Sequence, residues 1–125
     1  MIKKIILTTS FEATHHWPEC PFEDVPFLKN EHRHIFHVTM KFNIAHNDRD
    51  IEFIRKKQEV NKFIQNNYSN RFLGRTSCED IAETLLGKFA ACYVAVLEDN
   101  ENGAEIYEKH NFVKYPYRTF RRAVF

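Results

Sequence analysis

Ile5, Leu7, Phe11 and Ala13 share one parity across the first fifteen residues, while Thr8, Ser10, Glu12 and Thr14 take the other. This is the alternation of a strand with one buried face. A stronger run follows, in which Phe36, Val38, Met40, Phe42 and Ile44 alternate with His37, Thr39, Lys41 and Asn43. Between the two, Trp17 to Glu31 contains Pro18, Pro21 and Pro26, which oppose regular structure and mark a long loop.

Beyond a turn at His46-Asn47-Asp48 the period lengthens. From about Asp50 to Tyr68, Phe53, Val60 and Ile64 fall on one helical face, with Arg55, Lys56, Lys57 and Glu59 turned elsewhere. A second helix starts at Ser77, a capping residue. Asp80 stands in the capping-box position, and Ile81, Leu85 and Phe89 form an apolar stripe. Tyr93 to Leu97 is a nearly continuous apolar strand, Asn100 to Gly103 carries turn chemistry, and Ile106-Tyr107 belongs to a return strand. The order β-β-α-α-β-β predicts an α+β domain, a four-stranded antiparallel sheet with two helices on one face.

Composition narrows the function classes. A chain of 125 residues suits one domain. Eighteen basic against seventeen acidic residues give a net charge of +1, so bulk attraction to nucleic acid or anionic membrane is not expected. No apolar run approaches a membrane span. Met1-Ile2-Lys3-Lys4 leads straight into a strand pattern, and three cysteines fit no disulfide framework; a cytoplasmic protein without a leader peptide is expected. Three glycines exclude a glycine-rich phosphate loop.

The informative residues are histidines. His15 continues the Leu7/Phe11/Ala13 face at the end of the first strand. His32 and His34 open the second on its Phe36/Val38/Met40 face. If the strands pair antiparallel, the end of one lies beside the start of the other, and three imidazoles meet at one corner of the sheet. Imidazole suits zinc, and three histidines with a fourth position open is a catalytic arrangement. A polar hairpin rim is the competing reading for His32 and His34. His16 and His37 have the outward parity and His46 sits in a turn, so these three are expected to be solvated.

In their order along the chain, the motifs resemble the family of 6-pyruvoyl-tetrahydropterin synthase and 6-carboxy-tetrahydropterin synthase, the latter belonging to queuosine biosynthesis. Phe11-Glu12-Ala13-Thr14-His15 looks like the family's Phe-x-Ala-x-His. His32-Arg33-His34-Ile35-Phe36 looks like its His-Gly-His-aromatic motif, with Arg33 replacing Gly. Ile51-Glu52-Phe53 is similar to the opening of its first helix, and Ser77-Cys78-Glu79-Asp80-Ile81-Ala82 to that of its second. Val94 to Asp99 is similar to the strand ending in Glu-Thr. The resemblance spans residues 1–107 and implies a tunnelling fold over 1–108, with a basic aromatic extension over 109–125.

It further implies subunits associating into trimer-based oligomers, up to hexamers. Zn²⁺ would be held by His15, His32 and His34, and a pterin or purine-like ring gripped by Glu98, with Ser77 helping to position it. The reaction implied is that of a zinc-dependent lyase acting on a pterin such as dihydroneopterin triphosphate. Read without the resemblance, Glu98 is one of several acids at the end of a strand.

Three departures qualify this. Leu28 stands where the family's enzymes usually carry a cysteine. Cys20, in the same loop, is the candidate to replace it, with Glu19, Glu23 and Glu31 as acidic alternatives. The Asp-His pair usual between the helices is replaced by Asn66 to Arg71, leaving His110 as the one downstream histidine. Finally, Lys109, Lys114, Arg118, Arg121 and Arg122 interleave with Phe112, Tyr115, Tyr117, Phe120 and Phe125. That tail suits a subunit interface, with a nucleic-acid contact or recognition of a triphosphate as rivals. A non-enzymatic binding module with the same pocket is the alternative to the enzyme.

Overall fold

The computed structural model describes residues 1–109. The expected extension, apart from Lys109, and with it His110, lies outside the described residues. The elements run β1 (Lys3–His15), β2 (His32–Ile44), α1 (Phe53–Asn67), α2 (Cys78–Phe89), β3 (Tyr93–Glu98) and β4 (Asn102–Tyr107). The four strands form one antiparallel sheet in the order β1-β2-β3-β4.

Parity decides which face is buried. Leu7, Phe11 and Ala13 of β1, Phe36, Val38, Met40 and Phe42 of β2, and Val94 and Val96 of β3 all face the helices. Val60 and Ile64 of α1 and Ile81, Ala82 and Leu85 of α2 close the layer over them. Phe53 departs from the expected stripe. It is the first residue of α1 and more than half exposed, because the helix meets the sheet only further along, at Val60 and Ile64.

Two local features prepare the site. The β1–β2 loop is not wholly irregular: Pro26–Lys29 forms a short 3₁₀ turn with proline in its first turn, where a fixed φ and a missing N–H cost nothing. The segment joining the helices is laced to the edge of β1. Asn70 N–H donates to the Glu12 carbonyl, Thr14 N–H to Arg71, Leu73 N–H to Thr14 and His16 N–H to Gly74. This lacing brings the start of α2 up against the end of β1. There Ser77 accepts from Asp80 N–H while the Asp80 carboxylate accepts from Ser77 N–H, the reciprocal cap expected from the sequence.

The β3–β4 turn is one residue tighter than the composition of Asn100 to Gly103 suggests. Asp99 and Asn100 take positive φ of 53° and 60°, and Glu101 N–H donates to the Glu98 carbonyl, so Asn102 and Gly103 are already in β4. The turn spans three residues, and positive φ at its first two matches strand twist; Asp and Asn are the side chains that tolerate it best after glycine.

Candidate metal centre

The register brings the three histidines together. His15 lies directly opposite His32 and Ala13 opposite His34, so all three rings stand at one corner on the helix-facing side. Ring centroids are 4.5 Å apart for His15 and His32, 5.3 Å for His15 and His34, and 5.0 Å for His32 and His34. One nitrogen from each falls within 4.8 Å of the others.

Which nitrogens carry protons follows from their neighbours. His15 Nδ1 is 2.8 Å from the Thr76 carbonyl and His32 Nδ1 is 2.8 Å from the Asn30 carbonyl. His34 Nδ1 is 2.6 Å from Asp99 Oδ2. Carbonyls and carboxylates only accept, so each Nδ1 is the donor and each Nε2 of a neutral ring is left with its lone pair. His15 is buried, and its Nε2 makes no well-directed hydrogen bond although a carboxylate oxygen lies 3.1 Å away. A buried lone pair with nothing to receive costs free energy. Outer partners that lock the tautomer and leave the other nitrogen free are the usual support of metal-bound histidine. The donor set therefore fits zinc: three imidazoles whose outer nitrogens are already committed to protein oxygens.

Carboxylates complete the corner. Glu98, opposite Phe36 at the end of β3, places Oε2 3.1 Å from His15 Nε2 and Oε1 3.4 Å from His34 Nε2. Burial disfavours charge on His15, but the Glu98 carboxylate and the Thr76 carbonyl outweigh it and raise its pKa. The His15 ring beside Glu98 holds that carboxyl below its ordinary value, against a smaller opposing effect of burial. Asp99 accepts from Ile35 N–H at 3.0 Å as well as from His34, and both hold its carboxyl low.

A cavity of about 650 Å³ opens beside the cluster, lined in part by His15, His32, Glu98, Ser77, Leu28 and Arg75. Ser77 lines it with its hydroxyl engaged in capping α2. Cys20 does not line it. Its thiol is buried in its own loop, facing the Phe22 and Val25 carbonyls. Glu19 pairs with Arg75 and Glu31 accepts from Thr14 Oγ1. Arg33, the residue in place of glycine, pairs with Glu12 on the opposite face of the sheet.

Three site residues lay outside the sequence reading. His16, expected at the surface, is half-buried, stacks edge-on with Phe72 and lines the cavity, because the laced segment covers the end of β1. His37 too is half-buried rather than fully solvated. Cys78 lines the cavity with Sγ 3.7 Å from Glu98 Oε2, and burial together with that carboxylate pushes its thiol up to about 12. Asp99 is the third. Adjacent acids at the end of a strand were a usable signal for it, since the turn reverses between them and aims both at one neighbour.

An antiparallel α+β sheet with a three-histidine corner is the tunnelling-fold arrangement expected from the sequence. No protein-family model and no curated protein matches the chain. Solved structures do. The 6-pyruvoyl tetrahydropterin synthase of Caenorhabditis elegans superposes with a TM-score of 0.69 at 14% identity, covering 87% of this chain and 97% of that one. An uncharacterized protein from Wolinella succinogenes gives 0.67 at 13% identity, covering 87% and 99%. At such identities the likeness is one of fold.

Proposed function

We propose that the chain is a zinc-dependent lyase of the tetrahydropterin synthase type, acting on a pterin such as dihydroneopterin triphosphate. The observation that carries this reading is the set of three histidines anchored through Nδ1, one nitrogen of each lying within 4.8 Å of the others beside a cavity. His15, His32 and His34 would hold the ion. Bound there, zinc supplies Lewis-acid polarisation of substrate oxygens, which eases removal of a proton from the neighbouring carbon. Glu98 supplies a carboxylate that can accept two parallel N–H bonds from the guanidine-like edge of the ring. Arg75 and His16 at the cavity wall suit the anionic side of such a substrate.

Proton transfer is where this chain differs from the family it resembles. Leu28 at the cavity wall has no titrating group, and the Cys20 thiol would have to leave its packing to reach the substrate. Cys78 is at hand, and its raised pKa makes it a proton donor rather than a base. That observation favours a second reading, a pterin-binding module with the same metal corner and no turnover. The sheet edges that stay uncovered among the described residues support a homo-oligomer, of the trimer-based type that the family resemblance implies. No helix among the described residues is long and apolar enough to cross a membrane.

Incubating the purified protein with dihydroneopterin triphosphate and measuring its zinc content tests both readings. The lyase predicts product from wild type, and zinc that is lost in His34→Ala. Pterin affinity without product selects the binder. Equal zinc content in wild type and His34→Ala removes the metal centre from either account.

A further inference from the structure

We infer that residues 22–27 of the β1–β2 loop are the docking site for residues 120–125 of the same chain, an acidic aromatic hexad meeting a basic aromatic one. The near-neutral charge of the whole chain conceals a segregation. Residues 1–109 hold fourteen basic and seventeen acidic side chains. Residues 110–125, outside the described residues, hold Lys114, Arg118, Arg121 and Arg122 and no acid. A cationic segment joined to an anionic body is drawn to an acidic surface within its reach. The β1–β2 loop is such a surface, with Glu19, Glu23, Asp24 and Glu31 against the single cation Lys29. Nothing in this docking depends on the metal centre.

The loop is also apolar where it meets solvent. Its backbone is held by its own bonds: Cys20 N–H donates to the Trp17 carbonyl, Leu28 N–H to Val25, Asn30 N–H to Phe27 and Trp17 N–H to Leu28. Cys20 turns inward and is buried, but the large rings turn the other way. Phe22 and Phe27 are 55% and 60% exposed, and Trp17, whose ring centroid stands 5.9 Å from that of Phe22, is 37% exposed. An ordered loop that presents three aromatic side chains to water marks a surface that a partner covers. Two of its acids are already engaged, Glu19 with Arg75 and Glu31 with Thr14. Glu23 and Asp24, between the two phenylalanines, are exposed and make no ion pair among the described residues.

The two hexads match position by position. Phe22-Glu23-Asp24-Val25-Pro26-Phe27 and Phe120-Arg121-Arg122-Ala123-Val124-Phe125 each run aromatic, two charges, two apolar residues, aromatic, with the sign of the charges reversed. Laid side by side in the same direction, they set two guanidiniums against the two unpaired carboxylates and bring rings together at both ends. Reach allows this within one chain. Tyr107 lies level with Lys41 of β2 through Tyr93. From there the start of the loop at His32 is about 30 Å away along β2 and about 10 Å across the strands. Residues 108–119 span up to about 45 Å. A segment tethered this closely meets its site at a millimolar effective concentration, above that of a second copy in micromolar solution. Trp17 and Leu28 of the same loop line the cavity, so the docked segment braces that wall from outside.

Trp17 is the only tryptophan in the chain, so it reports the docking by its emission and by its quenching with acrylamide, which is uncharged. Four versions of the whole chain are compared: wild type, Arg121→Glu/Arg122→Glu, Glu23→Arg/Asp24→Arg, and all four substitutions together. Each reversal alone should shift the emission to the red and raise quenching. The combination should bring both back to the wild-type values, and dilution should change neither. Matching circular dichroism shows that the substitutions leave the fold in place. Equal emission and quenching in all four would overturn the inference. It would do so in favour of a nucleic-acid contact if wild type also binds a single-stranded oligonucleotide that the Arg121→Glu/Arg122→Glu protein does not. Release without recovery in the combination would overturn it too, because the charges would then act on other partners. Wild-type quenching that rises on dilution would make the occupant a second copy and overturn docking within one chain.

Discussion

At the scale of single residues, the most telling group is Asp99, because it never enters the cavity. Its carboxylate takes the His34 Nδ1 proton and the Ile35 N–H at once, so it sets both the ring's tautomer and its rotation. Remote partners of this kind are worth about 10–100-fold in metal affinity. Asp99→Asn keeps the shape but can present an NH₂ to a ring nitrogen that must be a donor, which would turn the tautomer and withdraw the Nε2 lone pair. The expected result is zinc affinity about tenfold or more below wild type in a competition assay with a chromophoric chelator, while thermal stability of the metal-free protein moves little, since Asp99 is exposed. Affinity equal to wild type would mean that His34 orients without it. Cys78 shows the opposite case, a residue whose environment was invisible along the sequence. Its burial against Glu98 arises from two segments twenty residues apart, and no spacing rule reports that.

At the scale of elements, the long alternations of β1 and β2 were legible because side-chain parity is fixed by the pleat, and the same parity foretold that His15, His32 and His34 share a side. The capping box of α2 was legible for a local reason, since Ser77 and Asp80 need only each other. The face of α1 was read less well. Phe53 has the right period but precedes the helix's contact with the sheet, and only tertiary packing decides where that contact begins. The β3–β4 turn was displaced because Asp99 and Asn100 carry the positive φ values without glycine, while Gly103 serves a different purpose. A Cβ on Gly103 would stand 1.8 Å from the Val96 carbonyl oxygen, so this glycine permits a close approach of β4 to β3. Gly103→Ala should therefore cost about 1–3 kcal/mol or more in urea unfolding through forced backbone movement. It should also weaken zinc retention, since the strained hairpin is the one that carries Glu98 and Asp99. Wild-type stability in that variant would show that the strands can part at no cost.

At the scale of the whole molecule, the sheet has two ends and neither is fully covered among the described residues. The lacing by Asn70, Arg71, Leu73 and Gly74 protects β1 only from Glu12 to His16, leaving the rest of a thirteen-residue edge strand beside solvent. β4 is the other edge. The face of the sheet away from the helices also exposes Ile6, Ile35 and Tyr107. Long bare edges invite pairing with another chain, and proteins that stay monomeric blunt them with proline, bulges or inward charges. No proline interrupts β1 or β4. Edge-to-edge association of β1 with the β4 of a second copy would continue the sheet, and its twist would carry successive copies around toward closure, since a head-to-tail contact either forms a ring or grows without limit. Light scattering should then give a discrete mass at three or six times 15.0 kDa, independent of protein concentration over the micromolar range. A single 15.0 kDa species would mean that both edges are tolerated bare, and a mass that climbs with concentration would mean that the contact does not close. Either result would exclude the closed ring, whereas the discrete multiple would place further copies of the chain around the sheet that carries the histidine corner.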